Sequence, residues 1–468
     1  MQEPPRYALR TVVLVLIFGV VVGLYVNQSF GAKGQLSRPV TEKDYEALNL
    51  FTAAYDKVVH YYVTDLDRVK LAREAVNGML SGLDPYSNYI PPAELKQFQD
   101  ATQGSYEGLG IRVMMIEGNL EVESPMEGGP AFKAGVLPGD RIEKVNGQST
   151  AGMSLLDAIS KLKGPAGSSV TITVRHKATG KTEDIIIVRA KIEVPSVAGV
   201  KQDKEGKWDY WVDPKSKIAY VRLTVFQEPS GNELRKVLEE LVRGGLKGLV
   251  FDLRFNPGGL LGSAVDVASL FIRDGIIVRT QGRTVPAEVF RANHSNVLDN
   301  LPLVILVNEW SASASEIVAG AAQDHKRGVL VGMQTFGKGS VQKVFTLDEE
   351  TLGAIKLTVA AYYTPNGRSL FVPTGPVHEA DSKHVPTGLK PDVEVKITPE
   401  EEVDLRKSWM RSSEMAPPST KPAATQPAGT QGAASKPVPF VDKQLEKAIE
   451  VIRKEISAAA TRPRSGSS

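Results

Sequence analysis

Three serines at alternate positions, Ser311, Ser313 and Ser315, follow the apolar run 303–307 and lead into the small-residue segment 317–322. The run reads as a buried strand and the segment after it as a helix, so the serines occupy a strand-to-helix turn. In that geometry a hydroxyl stands at the mouth of a sheet, while the first N–H groups of the helix point at whatever binds there. The chemistry such a site would carry is acyl transfer to a serine oxygen. Ser313 with Glu316 three residues later is also a capping box, the ordinary reason for serine at a helix start, so the hydroxyls alone define no site.

Two other stretches change that balance. Asp252-Leu253-Arg254-Phe255-Asn256-Pro257-Gly258-Gly259 closes an apolar strand with a Pro-Gly-Gly turn before a helical segment. Glycine there permits close backbone approach, and its N–H can stabilise an oxyanion. Thr335-Phe336-Gly337-Lys338-Gly339-Ser340-Val341-Gln342 places a lysine between glycines directly after the strand 329–331. Loop lysines are ordinarily solvated. Here an aromatic neighbour and an apolar strand argue for partial desolvation, which penalises the ammonium. Buried lysines fall from about 10.4 to roughly 5 or 6, and a neutral amine can then take a proton from a serine near neutral pH. A serine with such a lysine needs neither His nor Asp.

Composition agrees by exclusion. The chain has 468 residues, a net charge of +2 and no cysteine, which removes thiolate nucleophiles, disulfides and cysteine-based metal sites and gives no nucleic-acid signature. Six histidines form no close ligand pair, and His378 and His384 fall in a polar loop, so no metal and no cofactor are expected. Arg6 and Arg10 precede the apolar run 11–26, with Lys33 and Arg38 beyond it. That is the layout of a signal peptide or signal anchor with its basic end in the cytoplasm. The rest is then exported, to the periplasm or the extracytoplasmic face of a bacterial inner membrane. Ser29-Phe30-Gly31 is only a passable cleavage site, so a retained anchor is the preferred reading.

The elements that must position these residues can be read in order. Residues 1–38 are the signal segment and 39–100 a helical arm, with apolar residues at Leu48, Phe51, Tyr55, Val58, Val59 and Tyr62, then at Leu71, Ala75 and Leu80. Residues 101–192 form a compact mixed unit, with strands expected at 111–115, 120–122, 141–145, 170–174 and 185–188 and an amphipathic helix at 154–162. In it Gly108-Leu109-Gly110 suits a nest of N–H groups around an anion, and the strand opening at Ile111 can accept an extended peptide by strand addition. Residues 193–412 alternate strand and helix as an α/β core. Residues 413–438 are a Pro/Ala/Thr linker, and 439–468 hold a last helix with Leu445, Ile449, Ile452 and Ile456 on one face.

Together with Pro-Ala-Phe-Lys-Ala-Gly-Val-Leu-Pro-Gly-Asp from Pro130 and Leu-Lys-Gly-Pro-Ala-Gly from Leu162, the glycine loop makes unit 101–192 resemble a PDZ domain. The three downstream motifs, in this order after such a unit, resemble the carboxyl-terminal processing serine peptidases. Leu83-Asp84-Pro85-Tyr86-Ser87, Tyr362-Tyr363-Thr364-Pro365-Asn366-Gly367-Arg368 and Lys390-Pro391-Asp392 extend the resemblance from about residue 41 to 399. It implies a mixed α/β, multidomain protein: a PDZ domain, a crotonase/Clp-protease-like peptidase core and helical terminal arms. It implies Ser313 as nucleophile, Lys338 as general base, Gln342 as the residue orienting the lysine, and the N–H groups of Ala314 and Gly259 as oxyanion donors, with Gly258 as the alternative to Gly259. Gly108, Leu109, Gly110 and Ile111 would hold the free, largely apolar C-terminal tail of a protein substrate, and the terminal helices would build a homodimer. Two departures stand out: Phe255, where relatives carry a polar residue, and an insertion at 372–386. The competing reading is a membrane-anchored PDZ adaptor with an inert peptidase-like domain. A Ser-His-Asp hydrolase would need a G-x-S-x-G elbow, which Ser313 lacks.

Overall fold

The computed structural model describes residues 41–126, 128–203, 206–298, 301–348, 351–370, 388–412 and 440–461. The apolar run 11–26, the segment 372–386 and the linker 413–438 therefore lie outside the described residues. The chain divides into two compact units, Met1–Ala75 and Val76–Ser468. In the first, helix Glu42–Tyr61 starts at Thr41, whose N–H and hydroxyl both donate to Asp44 Oδ2, at 2.8 and 2.7 Å. No residue of this helix is buried, and Leu48, Phe51 and Val58 are exposed. Among the described residues no helix is long and apolar enough to cross a membrane.

The second unit is mixed α/β. Its spine is a sheet in which strands Ile218–Leu223, Gly248–Asp252, Leu303–Val307, Val329–Gly332 and Val393–Glu394 run parallel in that spatial order. Gly248–Asp252 and Leu303–Val307 are buried throughout, which explains the apolar runs 249–251 and 303–307: a central parallel strand is covered on both faces. On one face lie helices Ser230–Arg243, Leu261–Ser269 and Ala314–Asp324, contributing Leu234, Leu238, Val267 and Val318 to the main core. On the other lies helix Lys443–Thr461, with Ala448 and Ile452 against Val250, Val304, Leu306 and Val331. Gly248 lets it approach, since a Cβ there would stand 2.6 Å from Ile452 Cγ2. The apolar face expected on this last helix packs on its own chain's sheet.

A second, antiparallel sheet places the long strand Gly353–Tyr363 between Asn88–Ile90, Ile276–Gly282 and Ser340–Asp348. The unit at 111–188 is a separate antiparallel sheet with helix Leu155–Leu162 and its own core of Leu120, Ile142, Ile172 and Val174. A two-stranded ribbon, Ser105–Gly108 with Ala190–Glu193, joins it to the rest, Ser105 facing Glu193 and Gly108 facing Ala190.

Candidate active site

Strand Leu303–Val307 ends at the serine turn, and helix Ala314–Asp324 begins one residue after Ser313. The three serines separate by environment. Ser311 is buried, donates to Leu253 O at 2.8 Å and accepts from Asn308 N–H at 2.9 Å. Ser315 is buried and donates to Asn256 O at 2.9 Å. Both hydroxyls fasten the turn to the Asn-Pro-Gly-Gly segment, whereas Ser313 stays half-buried. Its backbone, at φ 55° and ψ −114°, lies where a residue with a side chain is strained, a cost that persists only when surroundings impose it.

Those surroundings centre on Glu316, which is fully buried. Its carboxylate accepts from Ser313 N–H at 2.8 Å, Thr335 Oγ1 at 2.6 Å, Gly337 N–H at 2.7 Å, Lys338 N–H at 2.9 Å and Tyr362 Oη at 3.3 Å. One carboxylate thus ties the backbone of Ser313 to the backbone of Lys338. Burial pushes its pKa above the ordinary glutamate range, and these hydrogen bonds oppose the rise.

The Asn-Pro-Gly-Gly turn lies directly against the serine. A Cβ on Gly258 would stand 2.7 Å from Ala312 O, 2.8 Å from Ser313 Cβ and 2.9 Å from Ala314 N, and its φ of +99° disfavours a side chain as well. Asn256, fully buried, accepts the Gly258 N–H on Oδ1 at 2.9 Å and donates to Leu223 O at 2.8 Å. The Gly258 N–H is therefore engaged. Among the described residues no acceptor is recorded for the N–H of Gly259 or of Ala314.

Lys338 is half-buried, and burial, then the charge of Lys356, pushes its amine below the ordinary lysine value, against Glu316 and Asp84. Its Nζ stands 4.6 Å from the centroid of the Tyr86 ring. No hydrogen bond joins it to Ser313 Oγ among the described residues. The expected contact of Gln342 with Lys338 is also absent: Gln342 sits at a register shift of strand Ser340–Asp348, and its amide donates to Ser340 Oγ at 2.8 Å and Thr358 Oγ1 at 3.2 Å. Phe255, the departure singled out in the sequence, is half-buried. It packs edge-on to Trp409, centroids 5.5 Å apart, with the Arg406 guanidinium 4.6 Å from its ring.

In the separate small domain Gly108, Leu109 and Gly110 are buried and Ile111 opens strand Ile111–Ile116, the outer strand of its sheet. The loop is closed by Ala131 N–H to Leu109 O at 3.0 Å and Met126 N–H to Gly110 O at 2.7 Å. Sequence reasoning missed Tyr86, Tyr362 and the reach of Glu316 into the lysine loop. The first two were visible only as parts of motifs, and Glu316 only as half of a capping box.

Residues 217–395 match the sequence model of peptidase family S41, residues 121–176 that of a PDZ domain, and residues 22–92 that of the activating protease CtpB N-terminal domain. A carboxy-terminal-processing protease of Bartonella bacilliformis is 40% identical over 356 residues, covering 75% of this chain and 79% of the relative. The carboxy-terminal processing protease CtpA of Bacillus subtilis is 33% identical over 364 residues, covering 77% and 74%. Among solved structures, the photosystem II D1 C-terminal processing protease is 30% identical, with 76% of this chain and 94% of that one covered at a TM-score of 0.41. The family models and the two sequence relatives define a serine-type protease with a PDZ domain. The chain belongs to peptidase family S41, with the carboxy-terminal processing proteases.

Proposed function

We propose that the protein is an exported endopeptidase that captures unstructured C-terminal tails with its PDZ domain and cleaves nearby through Ser313 and Lys338. The observation that carries this reading is the single buried carboxylate of Glu316 holding both backbones, which fixes a serine hydroxyl and a desolvated lysine on segments that cannot drift apart. Ser313 Oγ attacks the scissile carbonyl while the neutral Lys338 amine takes its proton. The N–H groups of Ala314 and Gly259, without an acceptor among the described residues, are the oxyanion donors. Lys338 then protonates the leaving amine and activates the water that hydrolyses the acyl-enzyme. With Nζ on Tyr86, a rotation of the lysine side chain precedes the first step. Gln342 acts on the lysine through its strand, by way of Ser340 and Thr358. Tail capture rests on the PDZ match and the outer strand at Ile111, which leaves an edge for an added peptide.

The test is cleavage of peptides that differ only at the C-terminus, by wild type, Ser313→Ala and Lys338→Ala. We expect each variant to lose at least about a thousandfold in kcat/KM, and amidation of the C-terminus to cut cleavage by wild type. Retained activity in Ser313→Ala would overturn the assignment. The inert-adaptor reading draws support from the missing Ser313–Lys338 hydrogen bond, and wild type that binds tails without cutting them would establish it. Export rests on Arg6, Arg10 and the apolar run 11–26. The chain is expected to be digested by protease added to spheroplasts, and protection inside them would contradict export.

A further inference from the structure

Tyr86 belongs to the turn 83–87, which Asp84 organises. Asp84 Oδ1 accepts from the N–H of Tyr86 at 2.8 Å and of Ser87 at 2.9 Å, and Oδ2 accepts from Ser87 Oγ at 2.8 Å. The turn is stitched to the long strand Gly353–Tyr363: Thr358 N–H donates to Ser87 Oγ at 3.0 Å and Thr358 Oγ1 to Asp84 Oδ1 at 3.2 Å. Two residues after Tyr86, Asn88 pairs with Lys356 in antiparallel register. Five hydrogen bonds therefore hold the turn that carries a half-buried aromatic ring beside the lysine loop, although its sequence position is 252 residues before Lys338 (338 minus 86). Lys338 Nζ lies 4.6 Å from the ring centroid, inside the roughly 6 Å range in which a ring face attracts a cation. Among the described residues no carboxylate forms an ion pair with this amine, and the ring face stands against it.

Resting on the reading of Lys338 as the base, we propose that Tyr86 is a positioning residue whose ring face seats the protonated amine of Lys338 and releases it to Ser313 Oγ when the proton is lost. In the forward step the Ser313 O–H bond breaks and an N–H bond forms on Lys338. The ammonium so produced is the form the ring holds. The charged and titratable groups facing the amine are Lys356 on the long strand, Glu316 on helix Ala314–Asp324, and Asp84 and Tyr86 on the turn. Burial and Lys356 favour the neutral amine, whereas Glu316 and Asp84 favour the charged one. The ring adds to the second group, so removing it favours the neutral form at lower pH.

The experiment is the pH profile of kcat/KM for a tail peptide, measured on the full chain. Tyr86→Leu is expected to move the acid limb down by about one pH unit, Tyr86→Phe to leave it in place, and Tyr86→Trp, the stronger ring, to move it up. A limb in Tyr86→Leu that superimposes on wild type overturns the proposal. So does a limb in Tyr86→Phe that moves as far as the leucine variant's, because the hydroxyl would then be responsible. If Tyr86→Leu loses its thermal unfolding transition, Tyr86→Trp decides: an upward shift supports the proposal, and an unmoved limb overturns it. Activity retained in Lys338→Ala defeats the base assignment and this inference together. An enzyme that depends on Lys338 but whose limb ignores position 86 defeats this inference alone.

Discussion

Replacing Glu316 by glutamine is expected to lower kcat/KM for tail-peptide cleavage by about a hundredfold or more, while PDZ affinity for the same peptide stays unchanged. The carboxylate has only acceptors, and five donors converge on it: the N–H groups of Ser313, Gly337 and Lys338, Thr335 Oγ1 and Tyr362 Oη. A glutamine amide turns one of those oxygens into a donor, so N–H meets N–H on one side and the lysine loop unhooks from the serine turn. A displacement of about 1 Å suffices for the expected loss. The sign of the pKa shift sharpens this. Because burial raises the Glu316 pKa, the folded state binds its proton more tightly than the unfolded chain, and stability falls as pH climbs through the raised value. The ionised form is thus held at a cost to the fold, which is what a group kept for geometry should show. Kinetics with fluorescence anisotropy of a labelled tail make the comparison, and a variant within threefold of wild type would mean that Thr335 and the neighbouring strands place the loop unaided.

The second large effect concerns stability. Arg254→Met should destabilise the chain by about 3–5 kcal/mol at neutral pH, because it strands a buried carboxylate. Arg254 and Asp252 are both fully buried. The guanidinium contacts Asp252 through Nε at 3.0 Å and Nη2 at 2.6 Å, then reaches Asp442 at 3.0 and 2.8 Å and Gln444 Oε1 at 3.0 Å. After the substitution Asp252 keeps only the Tyr220 hydroxyl, at 2.8 Å, among its side-chain partners, and the start of helix Lys443–Thr461 loses its clamp. Adding Asp252→Asn should return part of the loss, since the orphan charge goes with it. Burial alone would raise the Asp442 carboxyl, but Arg254 holds it below the ordinary aspartate value. Its contribution is therefore present above the unfolded pKa and fades as pH falls through the folded one. Denaturant melts of the two variants decide the matter, and equal loss in single and double variants would refute the orphan-charge explanation.

Much of this arrangement was legible in sequence because short-range rules cover it. The apolar runs 249–251 and 303–307 read as central strands, and the Pro-Gly-Gly turn is required by a Gly258 that has no room for a side chain. The spacing of Leu445, Ile449, Ile452 and Ile456 announced an apolar face. What covers that face is a sheet whose buried core partner nearest in sequence, Val331, lies 117 residues before Ala448 (448 minus 331), and no periodicity carries such a pairing. The same limit hid Tyr86, whose meeting with Lys338 depends on strand Asn88–Ile90 finding Gly353–Tyr363. The resemblance implies that Gln342 orients the lysine, but at the strand's register shift its amide goes to Ser340 and Thr358. Glu316 was read as a cap, and its hydrogen bond to the Ser313 N–H is present. Its four further donors come from segments that sequence reasoning could not bring to it.

The ribbon of Ser105–Gly108 and Ala190–Glu193 has a consequence for modularity. The chain leaves the peptidase body and returns to it through two paired strands, so the start and finish of the inserted domain are neighbours. An insert of that kind is expected to behave as a cassette: a module whose ends lie side by side should replace it between Gly108 and Ala190 with the strands that carry the serine and lysine left in place. On the proposed function, what the protein holds and what it cuts would then be separately inheritable, with the ribbon as the splice point.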